Sequence, residues 1–178
     1  MTAYEFVAPS MDSLDRLEAE VIALPFFSDE RPLTGAAALI DWRMCGALSR
    51  KLLAGHLQGH FGEKGMVAAP PRLKAEGLLL VGLGPMNSFD RSVAKRACSV
   101  IAGALRESMV TTAAMVLPGR SVGLIPALDV MQLWLDASKS DETLEEVSVI
   151  ERAEEHRTLG SLLVGLRRQS ESPLGEHP

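Results

Sequence analysis

The run Gly77-Leu78-Leu79-Leu80-Val81-Gly82-Leu83-Gly84 constrains this chain more than any other stretch. It is apolar at successive positions rather than alternate ones, and glycines close it at both ends. A half-exposed strand would alternate, and an amphipathic helix would repeat every three to four residues. A membrane span would need about twice the length. A short unbroken run of this kind belongs in a strand covered on both faces, between layers of helix.

Other segments share the pattern. Glu20 to Pro25, Thr111 to Leu117 and Glu145 to Ile150 read as strands, with Tyr4 to Val7 and Gly65 to Ala69 as shorter ones. Helical patterning falls between them. It covers Thr34 to Leu53, a helix capped by Asn87 or Ser88 and reaching Glu107, and a helix opened by Pro126. A last helix follows Ala153, with Leu159, Leu162, Leu163 and Leu166 on one side. Strand alternating with helix predicts an α/β fold with a central, mixed, mostly parallel sheet flanked by helices in three layers. Nothing divides the chain, so one domain is expected over residues 1–169, with a flexible tail at 170–178.

Composition narrows the function classes. The chain is 47% hydrophobic and 23% charged, with a net charge of −5. That sign gives no attraction toward nucleic acid or an anionic membrane, and neither is expected as a partner. Trp42 and Trp134 do not interleave with basic residues as a base-stacking surface would require. Met1 to Ser10 lacks the basic start and apolar stretch of a signal peptide. Cys45 and Cys98 stand far apart, which suits inert buried thiols in the cytoplasm.

Few residues read as chemistry. His56 and His60 are four apart with Glu63 nearby, but interleaved glycines and the lack of a nearby third His or Cys argue against a metal site. Gly82-Leu83-Gly84-Pro85, followed by Ser88, forms a strand-to-helix loop able to approach a phosphate, although a tight turn explains the glycines more simply. Pro118-Gly119-Arg120-Ser121-Val122-Gly123 offers backbone donors, a hydroxyl and a guanidinium to an anion. Gly82, Gly84, Ser88, Gly119, Arg120, Ser121 and Gly123 are therefore the candidate ligand-binding residues, around one crevice at the strands' carboxyl ends. Ser121 lies outside any Gly-x-Ser-x-Gly motif, so it is not expected as a nucleophile. The carboxylates from Asp141 to Glu155 read as a solvated acidic face. No catalytic residue, metal or cofactor is expected.

These pieces together resemble a known family. Ala19 to Pro25, Leu33-Thr34-Gly35, Leu39-Ile40-Asp41, Gly59-His60-Phe61-Gly62-Glu63-Lys64-Gly65 and Leu79-Leu80-Val81-Gly82-Leu83-Gly84 resemble the N-terminal domain of leucyl aminopeptidases. That domain is itself macro-domain-like. Gly62-Glu63, the Val81-Gly82-Leu83-Gly84-Pro85 strand end and Ser121-Val122-Gly123 are similar to macro-domain elements. By the same resemblance, Asp12 stands where a macro domain often contacts adenine. Two departures matter. Leu24-Pro25-Phe26-Phe27 replaces the asparagine-rich segment of macro hydrolases, and Leu33-Thr34-Gly35-Ala36-Ala37 is a reduced first phosphate loop. The Asn-Thr-Asp-Ala-Glu-Gly-Arg motif of the aminopeptidases' two-metal domain does not occur in the sequence.

The resemblance implies a non-catalytic module acting by self-association or with an aminopeptidase-type partner. Binding of a nucleotide-like, phosphate-containing ligand is the alternative, and independent hydrolysis ranks last. Two expectations separate the first two readings. Strands 77–84 and 111–117 should lie side by side, and Phe26 and Phe27 should fold over the crevice and fill it.

Overall fold

The structure, a computed structural model, describes residues 2–171. In chain order the elements are β1 (Ala3–Val7), α1 (Met11–Arg16), β2 (Val21–Phe26), α2 (Gly35–Arg43), α3 (Ala47–Leu53), β3 (Lys64–Ala68), β4 (Gly77–Gly82), α4 (Arg91–Glu107), β5 (Thr112–Val116), α5 (Ala127–Ser138), β6 (Glu146–Ile150) and α6 (Ala153–Glu171). A short 3-10 turn, Met86–Ser88, precedes α4. The strands form one six-stranded sheet in the order β1-β6-β5-β2-β4-β3. Only β3 runs antiparallel to its neighbour, through the pairing of Lys64 with Val81 to Ala68 with Gly77.

Period-two alternation sorts the apolar strands onto two faces. Val21, Ala23, Leu79, Val81, Ala113, Met115, Val147 and Val149 pack on one side with buried residues of α4, α5 and α6. Ile22, Leu24, Leu78, Leu80, Ala114, Val116 and Ile150 pack on the other with α1, α2 and α3. The result is the expected three-layer α/β fold. Among the described residues no helix is long and apolar enough to cross a membrane.

Several local expectations need correction. Strands 77–84 and 111–117 are not neighbours, because β2 lies between them and pairs with both. Every residue of β2 is buried, and its apolar side chains supply both cores, so it takes the centre. Pro25 is tolerated there because the β5 pairing stops at Ala23, leaving its missing N–H past the end of that ladder. The cap of α4 is Asp90, whose carboxylate accepts from Val93 N at 2.8 Å, since Asn87 and Ser88 are used by the 3-10 turn. The 34–53 region breaks at Met44 to Gly46, where Cys45 and Gly46 have φ of 52° and 77°. Asp41 then caps α3 by accepting from Leu48 N, Ser49 N and Ser49 Oγ. Cys98 is buried as expected, but Cys45 on that turn is exposed. Helix α1 is too short for its periodicity to show. Helix α6 continues to Glu171 and so takes in residues 170 and 171; the rest of the expected tail, 172–178, lies outside the described residues.

Candidate functional site

The parallel strands deliver their loops to one edge of the sheet, where the two expected anion loops lie on opposite sides of β2. Between them stands an aromatic cluster rather than an open crevice. Phe27, Leu83 and Ala97 are buried together, with Met86, Phe89 and Val122 packed against them. The Phe27 and Phe89 rings meet edge to face at 5.0 Å, a favoured aromatic geometry. Phe26, the last residue of β2, is equally buried and packs into the core on the α1–α3 side of the sheet.

This cluster divides the candidate residues. Gly82 is glycine because its own chain crosses it: a Cβ there would overlap His60 O and Gly59. Gly84 donates to Gly59 O at 2.8 Å and accepts from Ser28 N. Ser88 is exposed and bonded to Asn87 Oδ1. At Gly119, with φ of 79°, a Cβ would overlap the Phe89 ring. Gly123 has φ of 71° with open space around it. The close backbone approaches of Gly82 and Gly119 are thus made to the chain itself.

Arg120 and Ser121 have a different setting. They line a cavity of about 150 Å³ with Pro9, Gly35, Ala36, Val116, Ile150, Glu151 and Arg152. Buried Glu30 organises one wall: its carboxylate accepts from Phe27 N at 3.1 Å and from both Thr34 N and Thr34 Oγ1. That ties both ends of the 27–34 loop and presents Gly35 and Ala36, the start of α2, against Ser121. The opposite wall carries Arg120 paired with Glu151, Nε to Oε2 at 2.6 Å and Nη2 to Oε1 at 3.1 Å. Arg120 also donates to Ile125 O at 2.8 Å, and its Nη2 lies 3.4 Å from Glu155. The hydrogen-bonded Glu151 carboxylate raises the Arg120 pKa above its ordinary value. Nε, Nη1 and Nη2 of Arg120 each have a partner, and Arg152, also on the lining, lies 3.7, 3.6 and 3.9 Å from Glu151, Glu154 and Glu155.

Sequence reasoning missed Glu30 and Pro9. The solvated acidic face expected from Asp141 to Glu155 needs correction, because Asp141 and Glu151 are buried, Glu151 beside Arg120 and Arg152. A signal for the latter was available, because Glu151 and Arg152 directly follow β6 at the same carboxyl edge. His60 and Glu63 are brought together by structure, not as ligands. Glu63 Oε2 accepts from Gln58, Gly59 and His60 N, while His60 Nε2 bonds Gln58. Among the described residues no group of three or more His, Cys, Asp or Glu side chains could hold a metal. Asp12 is exposed in the first turn of α1 and paired with Arg16.

This arrangement of sheet, flanking helices and loop edge defines a macrodomain-like fold. A Trypanosoma brucei macrodomain in complex with ADP-ribose aligns at a TM-score of 0.69 and 14% identity, covering 91% of this chain and 69% of that one. A mutant tomato leucine aminopeptidase aligns at 0.64 and 15% identity, covering 90% of this chain and 35% of that one. Residues 23–132 match the model of the cytosol aminopeptidase family, N-terminal domain. The chain belongs to that family and has its N-terminal domain. It is 39% identical over 75 residues to a probable cytosol aminopeptidase of Pseudomonas syringae pv. tomato, covering 42% of this chain and 15% of that one. A probable cytosol aminopeptidase of Thermosynechococcus vestitus is 30% identical over 101 residues, covering 56% and 20%. The matched part thus spans a fifth or less of these relatives.

Proposed function

We propose that this chain is a non-catalytic association domain that assembles with itself or with an aminopeptidase-type protein. The observation that carries this reading is the Phe27–Phe89 cluster, which occupies the space between the two loops where a phosphate-bearing ligand would lie. The commitment of Arg120 to Glu151, and of Glu63 to backbone N–H groups, supports it further, because these groups serve the fold. Membership of the aminopeptidase N-terminal family supports an aminopeptidase-type partner. The family's cytosolic members support a cytoplasmic setting. Light scattering at micromolar protein, alone and mixed with a cytosol aminopeptidase, tests the reading. A mass above that of the monomer, or a complex with the enzyme, is expected. A strictly monomeric chain that leaves the enzyme's mass unchanged overturns it.

A second reading rests on the cavity beside Ser121. Ligand pockets usually enclose about 300–1,000 Å³, and this one holds about 150 Å³. Its size favours a small phosphate- or carboxylate-bearing group over an entire dinucleotide, and that group would compete there for an Arg152 already paired with Glu151, Glu154 and Glu155. The macrodomain neighbours solved with ADP and ADP-ribose make those ligands the panel to titrate. Silence across ADP-ribose, ADP and inorganic phosphate at millimolar concentration removes this reading.

A further inference from the structure

Of the two tryptophans, Trp134 is fully buried, whereas Trp42 near the end of α2 is 69% exposed. Asp41 beside it turns inward to cap α3, and the left-handed residues Cys45 and Gly46 reverse the chain there. Trp42 forms one wall of a groove of about 410 Å³, completed by Arg43, Cys45, Gly46 and Arg72.

The ring is held in place before anything binds. The Arg43 guanidinium lies 5.4 Å from the Trp42 ring centroid, a cation–π distance. Arg43 is fixed in turn by a two-point pair with Asp15, whose Nε–Oδ1 distance is 3.0 Å. Arg72 also faces Asp15, at 3.6 Å, but its side chain is 71% exposed. Arg50 donates to Cys45 O at 2.6 Å and borders Gly46. Arg43 and Arg72 line the groove and share Asp15, and Arg50 stands beside it at Gly46. On a chain of net charge −5 this is a local excess of positive charge beside an exposed aromatic ring.

We propose that this groove docks an acidic segment of a partner protein, with an apolar side chain on the Trp42 ring and a carboxylate on Arg72. The inference rests on the association reading and names its surface. Tryptophan and arginine are the residue types that most often dominate binding energy, and a pre-positioned ring loses little freedom on contact. Arg72 offers a planar donor pair suited to a carboxylate. A nucleic acid is the less favoured occupant, because the net negative charge repels a polyanion at long range.

Panning random dodecapeptides on the full chain, with Arg72→Glu and Trp42→Ala proteins as counter-targets, tests the proposal. Both side chains are exposed, so circular dichroism and buried Trp134 fluorescence should be unchanged in the variants. Recovered peptides should pair Asp or Glu with a neighbouring aromatic or large aliphatic residue. Their affinity should fall by roughly thirtyfold in Trp42→Ala, the scale of an interface hot spot. Arg72→Glu should regain binding when the peptide's carboxylate is exchanged for lysine. An empty selection, peptides indifferent to both variants, failure of the charge exchange, or tighter binding of oligothymidylate each overturns the proposal. Chain association that survives both variants removes this surface while leaving the association reading standing.

Discussion

Replacing Glu151 by leucine should be among the most damaging single changes at the candidate site. The Arg120 and Glu151 side chains are only 5% and 3% exposed, and two hydrogen bonds join them. Breaking a buried ion pair by removing one partner costs about 3–5 kcal/mol, because the other charge stays buried without compensation. Arg120 would keep Ile125 O and the more distant Glu155, which places the loss near the lower end, at about 3 kcal/mol. For a domain of this size that corresponds to a fall in Tm of roughly 6–12 °C. The double variant Arg120→Met with Glu151→Leu removes both charges and should recover most of the loss. Denaturant titration followed by Trp134 fluorescence reads both effects. A single-variant loss below about 1 kcal/mol, or a double variant no more stable than Glu151→Leu, would refute the view of the pair as a mutually compensated buried unit.

The remaining predictions concern the plug, the glycines, a carboxylate and the thiols. Phe27→Ala should cost about 3–5 kcal/mol in denaturant titrations, since the ring is fully buried against Phe89 and Leu83. Gly82→Ala should cost about 3 kcal/mol or more by the same assay, because the added methyl overlaps backbone that cannot swing away. Glu20 accepts from Thr111 N and Thr112 N, which hold its pKa below the ordinary 4.5. A depressed folded-state pKa gives stability present above the unfolded value and lost as pH falls through the folded one. Glu20→Gln should therefore be less stable than the parent at pH 7 and approach it under acid; equal curves at both ends would contradict this. The Cys98 thiol is pushed up to about 12 by burial, whereas Cys45 is exposed. A thiol reagent should label Cys45 in the native protein and Cys98 only after unfolding.

The strands were readable from sequence because their signal is local: six short apolar runs match β1 to β6 to within a residue or two. Their order was not, since adjacency depends on which strand best fills both cores. The centre fell to β2, where Pro25 is accommodated because the neighbouring ladder ends before it. Asp90 lost out as a cap to Asn87 and Ser88, since all three residue types suit the position and only the 3-10 turn separates them. At the candidate site, consecutive Phe26 and Phe27 announced burial directly, and both are buried. The glycines of the Gly82–Gly84 turn left two readings open, because a ligand and a crossing loop demand the same absence of a side chain. The Glu30 tie and the Arg120–Glu151 pair link residues whose proximity no local pattern encodes.

The proposed association role requires that Phe27 and Phe89, packed between the two loops, close this crevice to a nucleotide. A calorimetric titration of the full chain with ADP-ribose, carried to millimolar ligand, tests it most directly. No heat beyond that of dilution is expected. A saturable, stoichiometric heat would contradict it.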